Sequence, residues 1–327
     1  MEKPLVSVIV PVYNVEEYLE DLIRDILEQT VADFELLLVN NNSEDGAQKI
    51  LDRFREKDAR VRVFQQRRPG AAAARNMGLD NAVGEYIVFF DADDRVGRDM
   101  LETLLDGVEG FSLCLCGYTT EYKGKVVGQT AETGDRRMDR ETFLCALYED
   151  DTRDYQGFIW DKLFRGDIIR ENHLRFWEEV SYNEDRLFVT EYMMYAENVH
   201  WISARKYHYQ VRDDSAMSAS REYYATESEM SEIKAFDRII HVLEPLPEAQ
   251  KLAKRNMAIA QIRLFRRMLD RRHFLRYRKS GLRKYAKHFR ELGYEPKTYN
   301  EKVLCKKLVF FGYTGISYSG VDARQLR

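Results

Sequence analysis

Two aspartates, Asp91 and Asp93, come directly after the apolar run Tyr86–Phe90. An apolar run of this length predicts a buried strand, and two carboxylates leaving its end converge where a ligand would bind. Carboxylate oxygens are preferred ligands of Mg²⁺ and Mn²⁺, ions that bridge proteins to phosphate oxygens. We interpret the pair as a divalent metal site. The alternative is a solvated turn that caps the following helix.

An arginine and a second acidic pair could serve the same site. Arg75 lies in an alanine-rich stretch before that strand, and its planar guanidinium suits a diphosphate, although a surface salt bridge would also explain it. Glu184 and Asp185 stand about a hundred residues further on. One of these carboxylates can act as a general base, or the pair can be an exposed start of a helix.

The first 95 residues alternate between strand and helix patterns. We predict strands over 6–10, 34–39, 61–64 and 86–90, and helices after Asn14, over 44–57 and over 71–81. We expect the first strand to end at Pro11 and Asn42 or Ser43 to cap the second helix. Such alternation predicts a Rossmann-like α/β fold, a mostly parallel sheet flanked by helices, with ligands at the carboxyl ends of the strands.

These segments together resemble the family-two glycosyltransferases of GT-A fold, most of all those that build bacterial surface polysaccharides. The resemblance is continuous over about 5–96 and looser over about 158–218. Its motifs are VSVIVPVYN at 6–14, AARN at 73–76, FFDADD at 89–94, FIWDKLF at 158–164, EDRLF at 184–188 and YHY at 207–209.

The resemblance implies a role for each matching residue and Mn²⁺ or Mg²⁺ as cofactor. On the donor side, Pro11 and Tyr13 would line the base pocket, Asn41 would contact the base, Arg75 would hold the diphosphate or donor sugar, and Arg212 and Ser215 would lie on a loop closing over the donor. At the reaction centre, Asp91 would contact the ribose or a metal-bound water, Asp93 would bind the metal, and Asp185 would be the general base with Glu184 beside it.

Asn41 is a departure from the family pattern. The chain has Asn-Asn-Asn-Ser at 40–43, where the family usually has Asp-Asp-Gly-Ser or a close variant. The Asn41 carbonyl can still accept a hydrogen bond from a uracil N–H, although a carboxylate would be the stronger acceptor. A uridine donor is therefore compatible with the sequence, and a different nucleotide is open.

The resemblance implies an inverting glycosyltransferase of the hexosyltransferase type. It would move a sugar from a nucleotide sugar, in our expectation a UDP-sugar, to a hydroxyl of a glycan or lipid-linked glycan. The alternative is a non-catalytic protein that binds a nucleotide sugar or a glycan on the same fold. A dinucleotide dehydrogenase is excluded, because Gly-x-Gly-x-x-Gly does not follow the first strand.

The charge is distributed unevenly along the chain. The net charge is −4, yet residues 251–290 carry 15 Lys or Arg and one acid. A basic amphipathic helix can bind an anionic membrane surface; packing on an acidic catalytic domain, or a dimer contact, would explain it equally. We expect no nucleic-acid binding, since no binding module accompanies the charge.

We predict a catalytic domain over 1–219, with a nucleotide-sugar half over about 1–96 and an acceptor half over about 97–219. A helical, basic region would follow over 220–327. No segment has the ~20 apolar residues of a membrane span. We therefore expect a cytoplasmic protein whose membrane contact, if it has one, is peripheral on the inner face of the cell membrane. Homo-oligomers are left open.

Overall fold

The structure, a computed structural model, describes residues 3–131, 134–149, 156–212, 225–268, 289 and 292. The chain divides into two compact units, Met1–Arg221 and Glu222–Arg327. The first unit contains a mixed sheet with helices, and the second contains helices in the part that the structure describes.

The sheet has ten strands in the described residues, in the order β3-β2-β1-β4-β9-β6-β10-β5, with β7 beside β6 and β8 beside β10. The strands are β1 Val6–Val12, β2 Phe34–Asn40, β3 Val61–Gln65, β4 Tyr86–Phe89, β5 Arg95–Val96, β6 Leu113–Tyr122, β7 Lys125–Gln129, β8 Arg136–Asp139, β9 Lys162–Arg165 and β10 Asn198–Val211. β1 to β4 are mutually parallel, as are β6 and β10, whereas β9 joins β4 to β6 antiparallel. Most paired residues lie in parallel ladders, as predicted.

Helices cover the sheet and separate its parallel strands. They are α1 Glu16–Leu27, α2 Ala47–Lys57, α3 Ala71–Asn81, α4 Met100–Val108, α5 Arg140–Tyr148, α6 Gly166–Glu171 and α7 Glu184–Met193. In α1, Leu19, Leu22, Ile23 and Ile26 recur at helical spacing and are all buried, so the apolar stripe faces the core. β2 is buried along its whole length. The predicted α/β fold class is confirmed.

The first strand runs on through Pro11, where the sequence pattern predicts that it ends. Phe90 N–H donates to Ile9 O at 3.0 Å, so the backbone groups of Ile9 face β4. Because backbone groups alternate along a strand, those of Pro11, two residues further on, face the same side. The β1–β4 ladder has already ended at Ile9 and Phe89. The proline therefore removes no ladder hydrogen bond, and β1 continues to Val12 along β2.

The second helix begins at Ala47, three residues later than predicted, because residues before it are held by the first helix. Asp45 Oδ2 accepts from Glu16 N–H at 2.8 Å, and Glu16 Oε2 accepts from Gly46 N–H at 2.7 Å. Asn14 Oδ1 also accepts from Glu44 N–H at 2.8 Å. These reciprocal bonds join the β1–α1 and β2–α2 loops, and tertiary contact overrides the local preference for helix.

The second unit contains α8, Ala225–Val242, and α9, Pro247–Met268. Arg263 of α9 forms an ion pair with Glu232 of α8 at 2.8 Å. Ile262 and Leu264, two apolar residues of the basic segment 251–290, are buried. Membrane contact, packing on the catalytic domain and a dimer contact all stay predictions. Residues 269–290 of the basic segment, apart from Phe289, lie outside the described residues. No helix in the described part of the chain is long and apolar enough to cross a bilayer.

Candidate functional site

The loops that leave the parallel strands β1 to β4 lie at one edge of the sheet, because these strands run in the same direction. They place 11–14, 40–43, 66–70 and 91–94 near one another. Hydrogen bonds join neighbouring loops directly: Asn41 N–H donates to Val12 O at 2.8 Å, and Gln66 N–H donates to Asn40 O at 2.8 Å. This edge is the candidate site.

Arg75 is the centre of the site. Its guanidinium donates to Asp91 at 3.0 Å, to Asp185 at 2.7 Å and to Glu184 at 3.2 Å, and only 5% of its side chain is exposed. Asp91 follows β4, whereas Glu184 and Asp185 begin α7. One arginine on α3 thus joins carboxylates from the donor and acceptor halves predicted from the sequence.

The cluster has more negative than positive charge, and burial amplifies the imbalance. Burial raises the pKa of Asp185 well above its usual range, and the neighbouring Glu184 and Asp91 carboxylates add to the rise while Arg75 opposes it. Burial disfavours the charge on Arg75, but the three carboxylates outweigh it and raise the pKa of the guanidinium. Arg75 therefore stays charged, and Asp185 is a stronger proton acceptor than an ordinary aspartate.

Asp93 contacts a second arginine. Arg212 Nη2, at the end of β10, lies 2.5 Å from Asp93 Oδ2, and its guanidinium lies 4.7 Å from the centre of the Tyr18 ring. Burial raises the pKa of Asp93, the Asp91 charge adds to this, and Arg212 opposes it. Ser215, predicted to act with Arg212, lies outside the described residues.

Asp91 and Asp93 suit a hard divalent cation in charge and donor type. One oxygen of Asp91 is bonded to Arg75, and one oxygen of Asp93 is bonded to Arg212. The second oxygen of each carboxylate is the one that a cation would use. In the described ranges, no group of three or more His, Cys, Asp or Glu side chains could hold a metal ion. A cation here would therefore take most of its ligands from phosphate oxygens and water, as Mg²⁺ commonly does.

Hydrogen bonds from β10 hold the turn that carries both aspartates, and the residues that make them have no role predicted from the sequence. Tyr207 O–H donates to Asp94 Oδ2 at 2.6 Å, and Asp91 N–H donates to Tyr207 Oη at 3.3 Å. Gln210 N–H donates to Asp94 Oδ1 at 2.7 Å. Asp94 and Tyr207 are buried. The Asp-Asp doublet at 93–94 was visible in the sequence, but its partner lies more than a hundred residues away.

Asn41 is buried and both ends of its amide are bonded. Its Nδ2 donates to Arg68 O at 2.7 Å, and its Oδ1 accepts from Gly70 N–H at 2.8 Å. A main-chain carbonyl only accepts, so the amide orientation is determined by its partners. Asn42 Nδ2 likewise donates to Arg67 O at 2.9 Å. The two asparagines hold the loop that leads into α3 and Arg75.

Pro11 and Tyr13 lie on the neighbouring loop. Pro11 is half-buried in β1, and Tyr13, just beyond the strand, is 60% exposed. The structure therefore brings Arg75, Asp91, Glu184 and Asp185 into direct contact, pairs Asp93 with Arg212, and puts Tyr13 and Asn41 on adjacent loops of the same edge.

Comparison with known proteins decides the family of this domain. The sequence model of glycosyl transferase family 2 matches residues 7–154. The chain contains a glycosyl transferase family 2 domain. Arg75, Asp91 and Asp93 lie within the matched residues, whereas Asp185 and Arg212 lie beyond them.

Proteins similar to this chain occur in several bacteria. The putative glycosyltransferase EpsH of Bacillus subtilis (strain 168) is 32% identical over 216 residues, which are 64% of this chain and 62% of EpsH. Glycosyltransferase GlyG of Streptococcus pneumoniae serotype 4 is 45% identical over 106 residues, 32% of this chain and 35% of GlyG. The chain spans 62% of EpsH and of its B. subtilis relative EpsJ, less than two thirds of either.

Solved structures share the fold of this chain. S. aureus TarS 1-349 in complex with UDP superposes with a TM-score of 0.65 at 19% identity, covering 95% of this chain and 87% of that one. Mannosyltransferase PcManGT from Pyrobaculum calidifontis, in complex with GDP-Man and Mn²⁺, superposes with a TM-score of 0.53 at 17% identity, covering 97% and 89%. The likeness confirms the predicted GT-A architecture.

Proposed function

We propose that this protein is a glycosyltransferase that moves a sugar from a nucleotide sugar to a hydroxyl of a glycan or lipid-linked glycan, with inversion at the anomeric carbon. The observation that carries the proposal is the Arg75 cluster. In it, Asp91 on the donor side and Asp185 on the acceptor side meet one buried guanidinium at 3.0 and 2.7 Å. Leaving-group and acceptor chemistry would occur on the two sides of such a centre.

A nucleotide sugar is the donor that the family and the site favour. TarS has been solved with UDP and with UDP-GlcNAc, and PcManGT with GDP-Man. In this chain, Arg68 O and Gly70 N–H fix the Asn41 amide so that its oxygen can accept a second hydrogen bond through its remaining lone pair. An acceptor suits the N3–H of uracil and conflicts with N3 of cytosine, which is itself an acceptor. Thymine N3–H and guanine N1–H would suit the acceptor as well, so the amide argues against cytosine only. Among the other bases we propose uracil, the base of the nucleotides in the TarS complexes, and hence a UDP-sugar.

Asp93 and Asp91 would hold Mn²⁺ or Mg²⁺ together with the diphosphate. The cation would supply positive charge to the departing diphosphate, which needs no general acid. Arg75, which its carboxylate neighbours keep charged, would contact the same diphosphate or the donor sugar. Arg212 would meet the donor from the end of β10.

Asp185 is the proposed general base, with Glu184 beside it. A base is most effective when its pKa lies near the working pH, and burial shifts the pKa of Asp185 upward toward that range. It would remove the proton of the acceptor hydroxyl as that oxygen attacks the anomeric carbon. A single displacement by one hydroxyl inverts the configuration.

The test is release of nucleotide from a panel of UDP-, GDP-, dTDP- and CMP-sugars, with Mn²⁺ and with EDTA. We expect slow, metal-dependent hydrolysis of a UDP-sugar and none of a CMP-sugar. Metal-dependent release from another donor would refute the proposed base preference and keep the enzyme. Neither release nor metal-dependent binding with any donor would refute the proposed transfer and favour a non-catalytic protein that binds a glycan on the same fold.

A further inference from the structure

Both ends of the segment 176–185 contact the guanidinium of Arg75. At its start, the Phe176 ring centre lies 5.4 Å from the Arg75 guanidinium carbon. At its end, Glu184 and Asp185 bind the same guanidinium at 3.2 and 2.7 Å. The segment is therefore a loop closed on the reaction centre, and no residue in it is more than about five Cα–Cα steps of 3.8 Å from an end.

The start of this segment is held rigidly. The Asn76 side chain bonds both sides of the Phe176 backbone, donating to its O at 2.9 Å and accepting from its N–H at 2.8 Å. The Phe176 ring stacks on Phe188 of α7 at 4.1 Å and 5°. Glu178 forms an ion pair with Arg68 at 2.7 Å. The backbone around residue 177 is thus fixed by hydrogen bonds, packing and charge.

Two exposed aromatic side chains lie in this segment, Trp177 on the fixed backbone and Tyr182 five residues further on. Trp177 is 42% exposed and Tyr182 is 37% exposed. The chain has three tryptophans, and the others, Trp160 and Trp201, are 2% and 0% exposed. An exposed aromatic ring offers an apolar face for a ligand, and these two rings belong to the segment that ends at Glu184 and Asp185.

We propose that Trp177 and Tyr182 form the acceptor subsite and bind an acceptor sugar by stacking an aromatic ring against its C–H face. The inference rests on the proposed function and names the surface that this function requires. A base must approach the acceptor hydroxyl to about 2.6–3.2 Å, so the acceptor ring lies within one sugar's width of Asp185. Trp177 is one residue from Phe176, and Tyr182 is two residues from Glu184, so both flank that position.

Sugar chemistry fits this surface. A pyranose has apolar C–H faces and a polar rim, so an aromatic ring can cover a face while the hydroxyls stay solvated or hydrogen bonded. The acids Glu178 and Glu179 adjoin Trp177, and carboxylates accept hydrogen bonds from sugar hydroxyls.

The first experiment measures binding without turnover. Because Trp177 is the exposed tryptophan, acrylamide quenching of the intrinsic fluorescence reports mainly on it. The protein, with UDP and Mn²⁺, is titrated with methyl glycosides of glucose, galactose, mannose, N-acetylglucosamine and N-acetylgalactosamine. We expect at least one glycoside to protect the emission from quenching, and expect Trp177→Phe to lose that change.

The second experiment compares transfer with donor hydrolysis, using the protective glycoside as acceptor. We expect Trp177→Ala to lower the ratio of transfer to hydrolysis about tenfold, the scale of one aromatic contact, and Trp177→Phe to retain most of it. Tyr195→Ala is the matched control, since Tyr195 is 54% exposed just beyond the other end of α7; it should keep the wild-type ratio.

Protection by none of the glycosides, or an equal ratio in Trp177→Ala and Tyr195→Ala, would overturn the subsite. Failure of the proposed function itself would look different: the wild-type protein would hydrolyse no nucleotide sugar, whatever the fluorescence shows.

Discussion

Removing one hydroxyl, in Tyr207→Phe, should weaken metal use without unfolding the protein. The ring stays stacked on Trp160, whose centre lies 4.2 Å away at 12°. The hydroxyl that is lost donates to Asp94 at 2.6 Å and accepts from Asp91 N–H at 3.3 Å. Both bonds support the turn that carries Asp91 and Asp93, so we assign Tyr207 a positioning role.

The size of the effect follows from these partners. A hydrogen bond to a charged group contributes about 1.5–3 kcal/mol, and Asp94 is buried, so the carboxylate loses a partner that water does not readily replace. Loss of an outer partner of a metal ligand typically weakens metal affinity by about 10–100-fold. We expect the Mn²⁺ concentration for half-maximal donor hydrolysis to rise about tenfold, while kcat at saturating Mn²⁺ falls less.

Tyr192→Phe is the matched control. Tyr192 is also fully buried, and its hydroxyl also makes two hydrogen bonds, donating to Ser112 O at 2.5 Å and accepting from Arg165 N–H at 3.0 Å. Both variants should lose some thermal stability, but Tyr192→Phe should keep the wild-type Mn²⁺ dependence. An equal shift in both variants, or none in Tyr207→Phe, would refute the positioning role.

The remaining predictions concern the other site residues. Asp93→Ala should abolish metal-dependent donor binding in calorimetry, and unchanged affinity would remove Asp93 from the metal site. Asp185→Asn should keep donor binding and lose about 10²–10⁴-fold in transfer, and near-normal transfer would exclude it as the base. Folding raises the pKa of Asp185, so the native state binds its proton more tightly than the unfolded chain does. This aspartate therefore lowers stability as pH rises from its unfolded pKa through its raised folded pKa. Asp185→Asn should melt about 2–4 °C higher at neutral pH, with a smaller gain in acid, and a gain independent of pH would contradict this. Asn41→Asp puts a carboxylate against Arg68 O in place of a donor and should cost about 1–3 kcal/mol of stability in urea unfolding. The control, Asn172→Asp, loses a similar bond to a main-chain carbonyl at the end of α6 and should cost less. Equal costs would show that the loop does not depend on Asn41.

The local pattern predicted the parallel half of the sheet well because its signals are short-range. The apolar run of β2 and the alanine-rich α3 appear where periodicity placed them. The errors at Pro11 and at residues 44–46 have one cause: each position depends on a partner distant in the chain. β4 ends before it reaches Pro11, and Glu16 is hydrogen bonded to Asp45 and Gly46, which lie 29 and 30 residues away.

The same distinction applies to the site. Asp91 and Asp93 could be named from the sequence because a carboxylate pair after a buried strand is a local pattern. The contact of Arg75 with Asp185 spans 110 residues, and only the resemblance to a family suggested that both belong to one site. The YHY motif at 207–209 included Tyr207 but gave it no role beneath the Asp91 turn, and no pattern pointed to Trp177.

The sequence by itself determined which residue types leave the strands: carboxylates after β4, an asparagine run after β2 and an arginine on α3. It could do so because strand and helix periodicity depend on neighbours a few residues apart. Only the tertiary structure decided that three carboxylates share Arg75, that burial raises the pKa of Asp185, and that the Asn41 amide presents its oxygen to Gly70. Charge coupling and hydrogen-bond direction depend on distances between segments, and folding alone sets those distances.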